Sequence, residues 1–184
     1  MPAGPTSPYG LEKWQGEQYA ALFSTLYGLT TVSLRYFNVF GPLQDPRSPY
    51  SGVISIFLDR LLTGQPVVIE GTGEQTRDFV YVADVADANV RALTLPLDGH
   101  HRCNLGRCEE TSILELYHLL CEAVGRRPEQ TFGPPRAGDI FRSFTDVTCA
   151  REVLGFVPRY TLAEGLARLV EWYQSSEEQA ALSG

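Results

Sequence analysis

Thr31-Val-Ser-Leu-Arg-Tyr-Phe-Asn38-Val-Phe-Gly-Pro42 is the stretch that decides the fold. Thr31 to Phe37 is β-branched and aromatic enough for a pleated strand, and Gly41-Pro42 breaks regular backbone just beyond it. Asn38 therefore stands at the C-terminal end of a strand, where open α/β sheets place ligand-binding groups. An Asn before such a turn also serves as a plain turn former.

Upstream, Ser7-Pro8 opens a helix with Ser7 as cap and Pro8 at the first helical position; Leu11, Trp14, Leu22, Phe23 and Leu26 give it apolar content, and Gly28 ends it. Downstream, a Pro-rich loop runs to about Gly52. A helix follows from Val53 to Leu62, stopped near Gly64, and Val67-Val68-Ile69 is a short buried strand. Asp78-Phe-Val-Tyr-Val82 reads as a strand, and a helix begins at Asp84 with Asp87, carries Val85, Ala88 and Ala92, and fades at Pro96. Cys103-Asn-Leu105 is a short strand. Ser112 with Glu115, and Thr161 with Glu164, are capping boxes opening helices over Ile113 to Val124 and Leu162 to Tyr173. Asp146 caps a short helix from Val147 to Leu154, closed by Gly155, and the residues after Gln174 read as a frayed tail. Strands alternating with helices predict an α/β fold.

Bulk composition narrows the class. At 184 residues with 43% hydrophobic and 11% aromatic content, the chain can bury a globular core. Its 22 acidic and 15 basic residues leave a net charge of −7 with no basic cluster, which argues against nucleic acid as a partner. No apolar run approaches the ~20 residues of a membrane span, so the expectation is a soluble cytoplasmic protein. Cys103, Cys108, Cys121 and Cys149 form no Cys-x-x-Cys pair and read as reduced and structural. Adjacent His100 and His101 follow a glycine, read as loop and diverge, so no metal site is assigned.

Chemistry enters with Tyr9-Gly-Leu-Glu-Lys13. A Tyr and a Lys four residues apart share one helix face, and an ammonium beside a phenol favours the phenolate, so the pair can move a hydroxyl proton. The same spacing also describes an ordinary solvated helix face. Arg77 follows a glycine-rich turn, and Arg136-Ala-Gly-Asp139 follows Pro134-Pro135; each guanidinium sits on punctuated backbone, and two such groups suit a diphosphate. Asp139 can accept from ribose hydroxyls or cap a turn. Gly71-Thr-Gly73 echoes a dinucleotide-binding loop, but its last glycine is absent and a strand follows, so it is rejected as a cofactor loop.

Ser7-Pro-Tyr9-Gly-x-x-Lys13, Arg35-Tyr-Phe-Asn38-Val-Phe-Gly-Pro42, Gly73-Glu-Gln-Thr-Arg77-Asp-Phe-Val-Tyr-Val-Ala-Asp84 and Pro135-Arg136-Ala-Gly-Asp139 occur in this order. Together they resemble the extended short-chain dehydrogenase/reductase family, nearest to nucleotide-sugar epimerases. The resemblance implies NAD as cofactor, a UDP-sugar as substrate, and epimerisation at sugar C4. It implies Tyr9 as acid/base and Lys13 as its partner on the nicotinamide ribose, with Phe37 near the nicotinamide. Asn38, Arg77 and Arg136 would take the diphosphate, Asp139 the ribose, and Val53, Phe57, Val68 and Glu70 would flank the base.

The family's N-terminal glycine-rich strand and helix, and its catalytic Ser or Thr, have no counterpart among these motifs; only Thr6 and Ser7 are nominal hydroxyls. The resemblance thus implies a C-terminal portion: an incomplete Rossmann-type parallel sheet plus a small α/β substrate-binding domain. Residues 1–50 are expected to be a remnant of the dinucleotide-binding domain, 51–174 mainly the substrate-binding domain with some elements returning to the Rossmann portion, and 175–184 a tail. An unpaired strand edge and an apolar helix face would be exposed, implying a homodimer or other association. A non-catalytic nucleotide-sugar-binding module, and a portion of a related 4,6-dehydratase or decarboxylase, are the alternative readings.

Overall fold

One continuous stretch of chain changes partners at Phe37. Strand β1 (Thr31–Tyr36) pairs in parallel with β6 (His100–Leu105), whereas β2 (Asn38–Phe40) pairs in parallel with β5 (Phe79–Tyr81). The Phe37 amide donates to Leu105 O and the Asn38 amide to Asp78 O, so the change costs no backbone hydrogen bond at these two residues. A computed structural model describes residues 4–5, 7–44, 52–136 and 138–182, the last stretch from 176 on by its backbone only. Thr6 and residues 45–51, within the expected Pro-rich loop, lie outside the described residues.

The chain is α/β. Helix α1 (Pro8–Tyr27) starts as expected, with Ser7 Oγ accepting from the Gly10 amide at 3.0 Å, and ends at Gly28 in the left-handed region at φ 67°. Helices α2 (Val53–Thr63), α3 (Val82–Thr94), α4 (Ile113–Val124), α5 (Thr148–Leu154) and α6 (Leu162–Leu182) alternate with strands β3 (Val67–Glu70), β4 (Thr76–Arg77), β7 (Thr111–Ser112) and β8 (Gln130–Gly133). Strand β3 pairs in parallel with β8, and β4 antiparallel with β7. The box at Thr161 closes both ways: Thr161 N donates to Glu164 Oε2 at 2.8 Å and Glu164 N to Thr161 Oγ1 at 3.2 Å. Ser112 Oγ accepts from the Glu115 amide, and Asp146 Oδ1 from the Thr148 amide.

Several expectations need correction. Asn38-Val-Phe40 is a strand rather than the start of a turn, because it completes a ladder with β5. The strand near Phe79 ends at Tyr81, and α3 starts at Val82. Asp84 lies in the first turn of α3 but caps nothing there; its buried carboxylate accepts from the amides of Arg159 (3.0 Å) and Tyr160 (3.3 Å), binding the segment before α6 to α3. His100, His101 and Arg102 are strand, not loop, since β1 supplies their ladder. Helix α6 continues past Tyr173 to Leu182, with neither Gly nor Pro to stop it before Gly184.

Two apolar cores result, with β5 between them. Phe79 and Tyr81 enter the first, alongside Phe40 of β2, Ile69 of β3, and Leu58, Leu61, Tyr117 and Leu166 from the surrounding helices. Val80 faces the second, made with Val85 of α3, Cys103 and Leu105 of β6, and Ala150 and Leu154 of α5. This is the period-2 alternation of a strand buried on both sides. Gly165 permits the first core to close: a Cβ there would lie 2.6 Å from Phe40 Cζ. Among the described residues, no helix is long and apolar enough to cross a membrane, and no group of three or more metal-ligating side chains gathers.

Candidate functional site

A cavity of about 310 Å³ opens where α2, β2, β3 and β4 meet the segment after β8. Secondary-structure periodicity decides which side chains reach it. In α2, Val53, Ile56 and Phe57 stand at i, i+3 and i+4 and face the cavity, while Ile54, Leu58 and Leu61 are buried behind them. In β3, Val67 and Ile69 enter the core and the alternating Val68 and Glu70 face the cavity.

The polar groups converge from both ends of the chain. Asn38 on β2 donates from Nδ2 to Asp78 O at 3.1 Å, which fixes its amide at the cavity edge. Arg77, with its side chain only 16% exposed, is held tightly. Its Nη1 donates to Thr76 O (2.8 Å) and Ile140 O (2.5 Å), and its Nη2 pairs with the Asp139 carboxylate. Of five guanidinium protons, those on Nε and one on Nη2 are left by these three bonds. Arg136 lines the same cavity from an exposed turn in which the Asp139 amide donates to Arg136 O at 3.2 Å.

Asn38, Val53, Phe57, Val68, Glu70, Arg77, Arg136 and Asp139 thus share one cavity. Tyr9, Lys13 and Phe37 stand outside its lining. Tyr9 is 68% exposed on α1, with the Lys13 Nζ over its ring at 5.1 Å from the centroid, so the two do share a helix face. Gly71 and Gly73, at φ 70° and 79°, form a turn that β4 follows, not a helix.

Ile56, inside the expected Val53 to Phe57 segment, also lines the cavity, and so do Gly52, Gln75 and Ile113, which were not anticipated. Gln75 is nearly buried; its Nε2 donates to Glu70 O at 2.6 Å and its backbone carbonyl accepts from the Ile113 amide at 3.0 Å. It bridges the turn between β3 and β4 and ties it to the start of α4. Its place in Gly73-Glu-Gln-Thr-Arg77 was the available signal. Beneath the site, fully buried Asp78 accepts from the amides of Arg107 (2.7 Å) and Cys108 (3.0 Å), anchoring the turn after β6 to the strand that carries Phe79. Two neighbouring cations with rigid amide and carboxylate groups can receive an anionic, hydroxyl-bearing ligand, and the apolar wall of α2 can take a flat ring.

Comparison with known proteins bears on the fold and the family. The UDP-glucose 4-epimerase of Mycolicibacterium smegmatis is 45% identical over 97% of this chain, which covers 56% of that protein. The structure of UDP-glucose 4-epimerase from Thermotoga maritima, determined with UDP-glucose, superposes with a TM-score of 0.90 at 42% identity, over 95% of this chain and 55% of that one. That of UDP-glucose 4-epimerase from Thermus thermophilus, a complex with NAD, gives 0.86 at 37% identity over 95% and 56%. The chain spans about half the length of these relatives. The family model described as NAD dependent epimerase/dehydratase matches residues 1–106, more than half of the sequence, and the chain belongs to that family.

Proposed function

We propose that this chain is the C-terminal, substrate-binding and Tyr/Lys-bearing portion of an NAD-dependent nucleotide-sugar 4-epimerase acting on UDP-glucose and UDP-galactose. The observation that supports this most is the single cavity shared by Asn38, Arg77, Arg136 and Asp139 with the apolar α2 wall. Arg77 and Arg136 would bind the diphosphate, Asn38 would orient it, and Val53, Phe57, Val68 and Glu70 would enclose the base. Asp139, which pairs with Arg77, would turn part of its carboxylate to the ribose.

Tyr9 would hold and return the proton of the C4 hydroxyl, and Lys13, whose Nζ lies over the Tyr9 ring at 5.1 Å from its centroid, would bind the nicotinamide ribose. NAD, when bound, supplies reversible hydride acceptance at C4. Tyr9, Lys13 and Phe37 would meet one end of that cofactor. The Gly71–Gly73 turn, followed by β4, does not fit its diphosphate, which wants a helix N-terminus. A nucleotide-sugar-binding module without its own catalysis is the second reading, favoured by a cavity whose lining excludes Tyr9 and Lys13. We further propose association through α1, whose Leu22, Phe23, Leu26 and Tyr27 are all exposed.

Titration calorimetry with UDP and UDP-glucose on this chain tests the site. Binding is expected without NAD, and Arg77→Ala or Arg136→Ala should each weaken it by about 10- to 100-fold, the worth of a charge-assisted hydrogen bond. Absent binding, or binding that neither substitution weakens, rejects the site. Turnover of UDP-glucose by a preparation containing the chain, lost on Tyr9→Phe, separates the catalytic reading from the binding module.

A further inference from the structure

Cys103 on β6 and Cys149 on α5, 46 positions apart in sequence, bring their Sγ atoms to 3.0 Å. The pair lies in the second core, away from the cavity, and nothing in the proposed reaction uses it. Cys103 is fully buried, whereas Cys149 is half-buried and is the more accessible residue of the two. Helix α5 packs directly on β6, so the two sulfurs are held together by the fold rather than by mobile loops.

We propose that Cys103 and Cys149 are a redox-modification site that closes to a disulfide on exposure to a low-molecular-weight disulfide such as oxidised glutathione, tying α5 to β6. The order of events follows from access. Burial, then the hydrogen bond with Cys149, pushes the Cys103 thiol up to about 12, so Cys103 does not react first. The Cys149 sulfur attacks one glutathione sulfur; the glutathione disulfide breaks, a mixed disulfide forms on Cys149, and the thiol proton leaves with the released glutathione. Cys103 Sγ then attacks Cys149 Sγ from its adjacent position, expelling the second glutathione, which takes the Cys103 proton. In sum, two protein thiols are oxidised and one glutathione disulfide is reduced to two thiols.

Incubating the chain with oxidised glutathione, then measuring intact mass and proteolytic peptides, tests this. The expected product is lighter by two hydrogen atoms, joins the Cys103 and Cys149 peptides, and reverts with dithiothreitol. Cys149→Ser should abolish the cross-link and leave Cys103 without an adduct; Cys103→Ser should stop at the Cys149 mixed disulfide. A folded wild-type chain that keeps both thiols, accumulates the Cys149 adduct with no cross-link, or joins Cys108 instead overturns the proposal. Should Cys103→Ser fail to fold, the wild type and the half-buried Cys149→Ser variant decide the matter.

Discussion

Helices α1 and α2 are both rich in large apolar residues, yet they meet opposite fates. Helix α2 buries Ile54, Leu58 and Leu61 and offers its other apolar side to the cavity. Helix α1 buries no residue and leaves Leu11, Tyr19, Leu22, Phe23 and Leu26 exposed; it is tied to the sheet instead by polar contacts, Thr31 Oγ1 to Ala20 O at 3.1 Å and Arg35 to Glu17. Apolar periodicity states that a face can be buried, not that the same chain supplies the cover.

The sharpest test of this difference is a matched pair of truncations. Leu58→Ala, at a fully buried site, should cost about 2–5 kcal/mol in denaturant unfolding. Leu22→Ala, at a site 50% exposed, should stay within about 0.5 kcal/mol. A Leu22→Ala cost rising with protein concentration would mean that a second copy covers α1, and light scattering would then show the associated species.

A smaller effect probes the second core. A Cβ on Gly106 would fall 2.2 Å from Oγ1 of Thr145 and 2.8 Å from its Cβ, and Thr145 is fully buried. Gly106→Ala should therefore destabilise by about 1–3 kcal/mol through overpacking, seen as a lowered thermal midpoint. A neutral result would mean that the turn after β6 gives way, and that the Asp78 carboxylate does not hold it rigidly.

What the sequence disclosed, and what it hid, follows the same line. The starts of α1, α4 and α6 were legible because Ser7, Ser112 and Thr161 act within three residues of themselves. Strands β4 and β7 are two residues each, too short for any period to show. The polar start of β6 is strand only because β1 lies beside it. At the site, the motifs held Asn38, Arg77, Arg136 and Asp139, and the resemblance they carry pointed to Val53, Phe57, Val68 and Glu70, together eight of the twelve residues that line the cavity; neither disclosed the Arg77 pairing with Asp139 across 62 positions, nor Gln75 clamping the turn. Those depend on tertiary proximity, for which local spacing carries no sign.

The smallest expected effect lies at the polar attachment of α1. Arg35 Nε and Nη2 reach Glu17 Oε1 and Oε2 at 2.5 and 2.6 Å, and this hydrogen bonding holds the Glu17 carboxyl below its ordinary range, with partial burial opposing. A carboxyl lowered in the folded state contributes stability above the unfolded glutamate value of ~4.3, and that contribution disappears as pH falls through the lower folded value. The Arg35 side chain is 42% exposed, so solvent screening keeps the contribution to about 0.3–1 kcal/mol. Glu17→Gln should accordingly lower stability at neutral pH by that amount, and the gap from wild type should close in acid, below about pH 4. A gap of constant size across that range would assign the loss to packing of the Glu17 stem, making α1 less dependent on charge for its attachment than its exposed apolar face implies.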